Sequence, residues 1–341
     1  MISSTPTILC RPLARRHFLA GAAGVLSAPF VSRLGLAAGK VIRVSTSGSE
    51  EEWQSKSLLK FKETLEKEAP GGFDVQIHFN GTLFGQGAEI EAMQRGNLEV
   101  GMISPQDVAE LIPEYSIFTT GYLIRDLKHL NAIYDGPIGE EYKARVAKDL
   151  GLQILRSQYL GARHVVLRVP QQVMVPKDLA GVKLRMPGSA SWQFLGNALG
   201  ANATPLAFEE IYLALQTGTI DGLENPLPDI ISNKFYEVAK QIVLTGHMVA
   251  NTFFTFSGTF FGKLDEKQRA AIVKAADVAK KFNDENVSVT EKQAITFVEG
   301  KGMSVTTPDV GVFRTHVLGE FVNSDFSKNW PKGMLDRINA A

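Results

Sequence analysis

Strand-like and helix-like segments alternate through the first third of the chain, and this alternation constrains the fold more than any other feature of the sequence. Residues 41–47 alternate as a strand, and residues 51–68 carry apolar side chains at helical spacing. Another strand at 73–79, a short helix at 89–95 and a third strand at 98–103 complete a β-α-β-α-β order. This order predicts an α/β fold with a parallel sheet.

A long apolar stripe near the C-terminus limits how the rest of the chain is arranged. Residues 265–298 predict one helix of about 34 residues, or roughly 50 Å if it is unbroken. A helix longer than a domain contacts more than one domain. The other predicted elements are helices within 126–150, at 190–199 and at 209–216, and strands at 152–159, 164–169, 182–185 and 251–260.

The N-terminus has the pattern of an export signal. Arg15-Arg16 precede an apolar run of small residues, and no acidic residue occurs before Glu50. Pro29 interrupts the apolar stretch, which argues against the alternative of a membrane anchor. We therefore predict that residues 1–38 are a cleaved twin-arginine signal and that the protein is periplasmic.

Charge and residue usage exclude several functions. Without residues 1–38 the chain has 32 basic and 36 acidic residues, a net charge of −4, so we expect no nucleic-acid partner. The only cysteine, Cys10, lies in the predicted signal. The histidines show no close ligand pair, and neither a Gly-x-Ser-x-Gly elbow nor a Walker A lysine motif occurs. We predict no metal, no cofactor and no catalytic residue.

A candidate anion site is centred on Arg185. This residue ends a short alternating run and is followed by Met186-Pro187-Gly188, which removes a backbone donor and ends the strand. In open α/β sheets ligands bind beyond the carboxyl ends of the strands, where a guanidinium matches a carboxylate in two parallel hydrogen bonds. The alternative is an arginine in solvent on a loop.

Four blocks in this region resemble the solute-binding proteins of tripartite ATP-independent periplasmic (TRAP) transporters, and weaker likeness extends from about Val41 to the C-terminus. The blocks are DLAGVKLRMPGS at 178–189, ALGA at 198–201, PLAFEEIYLALQTGTIDGLENPL at 205–227 and NKFYEV at 233–238.

The resemblance implies a two-lobed, type II-like periplasmic-binding-protein architecture with a long helix that spans both lobes. We expect lobe I to contain residues 39–162 and 251–290, and lobe II to contain residues 163–250 and 291–341. Two strands would cross between the lobes near Gly161 and Ala250 and form a hinge.

The resemblance also implies roles for several side chains. Arg185 would bind the ligand carboxylate, Phe208 would lie against its carbon skeleton, and the Asn225 amide would bind the carboxylate and a neighbouring hydroxyl. Phe208 could instead be ordinary core, and Asn225 could cap a helix that starts at Pro226. Arg163 stands where many relatives place a second cleft arginine, about twenty residues before the first. Its spacing of 22 residues from Arg185 departs slightly from that pattern.

The match to the family is thinnest at the residues expected to contact the rest of the ligand. Sialic-acid-binding relatives carry a glutamate and an arginine after the third strand, whereas this chain reads ISPQD at 103–107, which argues against sialic acid. The candidates for hydrogen bonds to ligand hydroxyls are Gln86, Ser104 and Gln106. The candidates for a flat aromatic wall are Trp53, Tyr159 and Trp192. Each of these residues could equally be a packing residue.

These features predict a monomeric periplasmic receptor, not an enzyme. It would bind an organic acid, with sugar acids slightly favoured over bare dicarboxylates, and deliver it to the membrane subunits of a TRAP transporter. Two alternatives stay open. The chain could be a ligand-sensing subunit of the same fold, or a secreted α/β enzyme that acts on a carboxylate substrate.

Overall fold

One mixed sheet organises the molecule. The structure is a computed structural model that describes residues 39–341, and the predicted export signal lies outside the described residues. The nine strands within the described range are β1 (Lys40–Ser45), β2 (Phe73–His78), β3 (Val100–Ile103), β4 (Leu152–Leu167), β5 (Lys183–Met186), β6 (Asn202–Pro205), β7 (Gly222–Pro226), β8 (Gln241–Ser257) and β9 (Ser304–Thr306).

Helices cover the sheet, and their ends follow local sequence signals. The Asp265 carboxylate accepts from the Gln268 N–H at the start of the longest helix, and Gly151 ends another in the left-handed conformation. Within residues 39–341 no helix has both the length and the apolar character needed to cross a membrane. The helices are α1 (Trp53–Glu68), α2 (Glu89–Gln94), α3 (Pro105–Leu111), α4 (Leu127–Tyr134), α5 (Pro137–Leu150), α6 (Ala190–Ala198), α7 (Ile211–Thr217), α8 (Leu227–Ser232), α9 (Gly258–Gly262), α10 (Glu266–Gly300), α11 (Val310–Val322) and α12 (Met334–Ala340).

The sheet has two parallel parts joined by two long antiparallel strands. The strand order is β2-β1-β3-β8-β4-β7-β5-β6, and β9 pairs with β8. Strand β1 is parallel to β2 and β3, and β5 is parallel to β6 and β7. We call β1–β3 with the segments that follow them the first half, and β5–β7 with the segments that follow them the second half. The predicted α/β class is confirmed.

The joining strands β4 and β8 differ from the sequence prediction. Two strands were expected at 152–159 and 164–169, but β4 is continuous from Leu152 to Leu167. Its pairing with β8 shifts register between Tyr159 and Gly161, so a bulge absorbs the glycine that interrupts the sequence pattern. Strand β8 begins at Gln241, well before the predicted start at residue 251, because its first part pairs with β4 and β9.

The predicted long helix is confirmed as α10, which has 35 residues. Its first part packs in a core cluster with the first half, where Ile272 and Ala276 join Phe61. Its last part packs in a different cluster with the second half, where Ala294 and Val298 join residues of α7 and α8. The helix therefore spans both parts of the sheet.

Gly161 is the position in β4 where a side chain fits least. Its φ is +118°, and a Cβ there would lie 3.0 Å from the Pro226 Cβ. We expect Gly161→Ala to lower the free energy of unfolding by about 1–3 kcal/mol, because an L-residue is strained at this φ. Denaturant titration measures the change.

Gly319→Ala is the matched control. Gly319 lies inside α11, and a Cβ there would meet nothing within 4 Å. Alanine should stabilise the helix by about 0.5–1 kcal/mol. Equal effects of the two substitutions would contradict the strain assigned to Gly161.

Candidate ligand-binding site

A cavity lies between the two halves of the sheet, where the segments that follow their parallel strands come together. The empty space at this site, counted together with open solvent at its mouth, is about 840 Å³. Sequence-predicted residues from both halves line it, so the fold brings together positions up to 139 residues apart in sequence, from Gln86 to Asn225. These lining residues are Gln86, Ser104, Gln106, Arg163, Arg185, Trp192, Phe208 and Asn225.

Arg185 is buried in the wall of this cavity. It lies in β5, which is fixed by pairing with β6 and β7, and only 1% of its surface is exposed. Its Nε donates to the Leu206 carbonyl at 2.8 Å and its Nη2 donates to Gln86 Oε1 at 2.6 Å. A guanidinium has five N–H donors. Within the described residues three of them are left for a ligand.

The charge on Arg185 has no carboxylate in direct contact among residues 39–341. Burial lowers the pKa of Arg185 to about 9, although Glu224 acts in the opposite direction. The side chain is still a cation at neutral pH. A buried cation without an anionic partner is unfavourable, and a bound carboxylate would supply that partner.

Arg163, by contrast, is already paired. Its Nε and Nη2 both donate to the Glu224 carboxylate, with 2.7 Å between Nη2 and Oε1. Its guanidinium carbon lies 4.7 Å from the ring centroid of Trp192. The guanidinium stacks on this ring and makes two hydrogen bonds to the carboxylate, so it is held in one orientation at the cavity wall.

Glu224 is fully buried and also contacts His247. Burial favours its protonated form, but Arg163 and then His247 outweigh burial and hold the pKa of Glu224 below its ordinary value. Burial lowers the pKa of His247, so its ring is neutral. The ring donates from Nε2 to Glu224 at 3.0 Å and accepts from Thr245 Oγ1 at Nδ1. Glu224 is thus the ionised counter-charge of Arg163.

Asn225 presents a buried donor to the cavity. Its Oδ1 accepts from Arg163 Nη2 at 2.9 Å, whereas its Nδ2 has no partner within the described residues. The alternative of a helix cap is wrong, because Asn225 lies in β7 and the cap of α8 is Pro226. An unpaired buried amide is unfavourable by about 1–3 kcal/mol, which a ligand acceptor would offset.

The other predicted residues differ in whether they line the cavity and in whether their side chains already bond to other protein groups. Phe208 is half-buried, with its ring centroid 5.8 Å from the Arg185 guanidinium carbon. The Ser104 hydroxyl caps α3 and donates to Asp107 Oδ2 at 2.7 Å. Trp53 and Tyr159 do not line the cavity. Each donates a hydrogen bond to a side chain of α10 instead.

Two buried glutamates of the first half also line the cavity. Glu52 is 5% exposed and its Oε1 accepts from Asn233 Nδ2 at 2.7 Å. Glu89 is 3% exposed and its Oε2 accepts from the Gly87 N–H at 2.8 Å. Burial raises the pKa of Glu52 to about 7, and burial followed by the nearby Asp107 raises the pKa of Glu89 to about 8.

Comparison with known proteins identifies the family. The family described as bacterial extracellular solute-binding protein, family 7, matches residues 44–318. This chain belongs to that family. The predicted resemblance is confirmed.

Similar proteins cover most of the chain. A solute-binding protein of Verminephrobacter eiseniae is 32% identical over 89% of this chain and 90% of its own. The solved TRAP periplasmic solute-binding protein of Roseobacter denitrificans with bound 3-deoxy-D-manno-oct-2-ulosonic acid is 43% identical, with a TM-score of 0.85 over 89% of this chain and 99% of its own. A Xanthobacter autotrophicus relative with bound β-D-galacturonate is 28% identical, with a TM-score of 0.80 over 88% and 99%. The predicted two-lobed fold is confirmed.

The sequence of this family 7 protein did not reveal Glu52 or Glu89 as cavity residues, nor Glu224 and His247 as the buried groups behind Arg163. Glu224 could have been found, because it precedes Asn225 in a buried strand, a buried carboxylate is stable only beside a cation, and Arg163 is already a site candidate. Glu52 and Glu89 lie at the starts of predicted helices, beside polar and glycine residues, where a carboxylate usually faces solvent. No group of three or more histidine or acidic residues that could hold a metal ion occurs in residues 39–341.

Glu89→Gln should stabilise the protein more at pH 8 than at pH 5. The pKa of Glu89 rises from an ordinary 4.5 to about 8 in the folded protein. The folded state therefore keeps a proton that the unfolded state releases above about pH 4.5, and wild-type stability falls as the pH approaches 8. Denaturant titrations at both pH values should show a gain on the order of a few kcal/mol.

Glu63→Gln is the control, because Glu63 is exposed in α1 and its pKa is lowered to about 2 by Lys67 and Lys60. Its effect should be the same at pH 5 and pH 8. If the effect of Glu89→Gln is equally independent of pH, Glu89 is not a buried carboxyl with a raised pKa.

Proposed function

We propose that this protein is a periplasmic receptor that binds an organic acid in the cavity and delivers it to the membrane subunits of a TRAP transporter. The observation that carries the proposal is Arg185, a buried cation that keeps three N–H donors for a ligand. The unpartnered Asn225 amide lies in the same cavity. Together they match a carboxylate, which only accepts hydrogen bonds when ionised.

We propose that the two lobes, residues 39–162 with 251–290 and residues 163–250 with 291–341, close around the acid. The proposed hinge near Gly161 and Ala250 is supported by the register of β4 and β8, where these two residues lie opposite each other. Hydrogen bonds from Arg185 to Gln86, from Asn233 to Glu52 and from the Ala190 N–H to Glu110 connect the proposed lobes.

The ligand is proposed to be a sugar acid or another carboxylate. Two solved relatives hold hydroxylated sugar acids, and the one with bound 3-deoxy-D-manno-oct-2-ulosonic acid is 43% identical to this chain. Export through the twin-arginine signal, the periplasmic location and a monomeric state are parts of the same proposal. Family membership and the sequence of residues 1–38 support export.

Arg185→Ala should weaken acid binding strongly. Removal of one partner from a buried charge pair costs about 2–5 kcal/mol, which is roughly a 30- to 5,000-fold loss of affinity. Isothermal titration calorimetry with the best acid from a panel of carboxylates measures the loss. Circular dichroism should show an unchanged fold, and the acid recovered after binding should be chemically unchanged.

Two further variants make the result specific. Arg185→Lys keeps the charge but loses the planar fork, so its affinity should lie between those of wild type and the alanine variant. Arg95→Ala removes an exposed arginine that pairs only with Glu91 on α2 and should bind as wild type does. Wild-type affinity of Arg185→Ala for every acid would overturn the assignment.

A further inference from the structure

The two halves of the sheet contribute different ionisable groups to the cavity. Asp229, which follows β7 in the second half, also lines it, and burial followed by the nearby Glu52 raises the pKa of Asp229 well above its ordinary value. The second half contributes Arg185, whose charge lacks a contacting carboxylate, while the charge of Arg163 is neutralised by Glu224. Among the described residues that line it, the cavity thus offers one cation without a contacting carboxylate. One cation is matched by one carboxylate.

The first half contributes acidic side chains at the same cavity. Glu52 follows β1, Glu89 follows β2 and Asp107 follows β3, and all three line the cavity. Because β1, β2 and β3 are parallel neighbours, the segments beyond their carboxyl ends meet at one edge of the sheet. A ligand held by Arg185 in the second half would extend its other end toward this acidic edge, because both line the same cavity.

Carboxylates and hydroxyls interact with such an edge in opposite ways. A hydroxyl both donates and accepts, so it can donate to a glutamate oxygen. Above about pH 8, where Glu52 and Glu89 are ionised, a second carboxylate on the ligand cannot donate to them and would lie close to like charges. In that ionised state the acidic edge favours hydroxyls and disfavours a second anionic group.

We propose that Glu52 and Glu89, with Asp107 beside them, determine specificity in their ionised forms by admitting hydroxylated monocarboxylates and excluding diacids of the same length. This inference rests on the proposed function and adds the identity of the residues that select the ligand. The unpartnered, 3% exposed Asn225 amide marks the same cavity as a ligand site independently of the acids.

Matched acid pairs test the inference. Gluconate and glucarate, and galactonate and galactarate, have the same carbon chain but differ in a terminal hydroxyl or a second carboxylate. Calorimetric titrations with these pairs, 3-deoxy-D-manno-oct-2-ulosonate, succinate and glutamate are done at pH 8.5, where Glu52 and Glu89 are ionised. The tightest ligand should be a hydroxylated monocarboxylate, with every diacid at least 30-fold weaker or undetectable.

Charge-neutral variants connect this selectivity to the acidic edge. Glu89→Gln should reduce the ratio of monoacid to diacid affinity at least fivefold. If this variant does not fold, Glu52→Gln provides the same test, because its amide oxygen still accepts from Asn233. Glu63→Gln, an exposed change on α1, should leave the ratio unchanged.

The outcomes separate the two claims. Any of three results overturns this inference: equal affinity for a monoacid and its diacid, tighter binding of succinate or of zwitterionic glutamate, or an unchanged ratio of monoacid to diacid affinity in both glutamine variants. None of these results contradicts the receptor function. If no acid in the panel or in a wider carboxylate screen binds wild-type protein, the proposed function itself is wrong.

Discussion

The burial of one guanidinium determines how the rest of the cavity is built. Arg185 lies in β5 with 1% of its surface exposed, held by a backbone carbonyl and by the Gln86 amide, both of them neutral acceptors. Neutral acceptors orient the cation but do not neutralise it. The folded protein thus retains a desolvated charge that a ligand carboxylate can pair with, and this is the physical basis of anion binding.

The pair of Arg163 and Glu224 has a different function. A buried ion pair contributes little net stability, because desolvation of both groups offsets their attraction. Its geometric effect is larger, since Glu224, Trp192 and the neutral His247 fix the guanidinium, which in turn holds the Asn225 oxygen. The Asn225 Nδ2 is consequently fixed in position, and it has no hydrogen-bond partner of its own within the described residues. Binding groups that are ordered before the ligand arrives lose less entropy on binding.

Much of the second half of the cavity could be predicted from sequence. The strand ending near Arg185, the long helix α10 and the lining positions Phe208 and Asn225 follow local patterns and a dense family motif. The continuity of β4 could not, because a bulge at Gly161 has the sequence signature of a break. The buried glutamates of the first half also could not, because their burial depends on contact between distant halves, which no local pattern encodes.

The central claim is that the cavity recognises the carboxylate itself, and a thermal-shift screen of wild-type protein against carboxylates and their neutral amides tests it most directly. Ligand at about 100 times its dissociation constant stabilises a folded protein by roughly 2.7 kcal/mol. We predict a clear rise in melting temperature with at least one sugar acid and none with the amide of the same acid, such as gluconamide for gluconate. No rise with any carboxylate, or equal rises with an acid and its amide, would contradict the account.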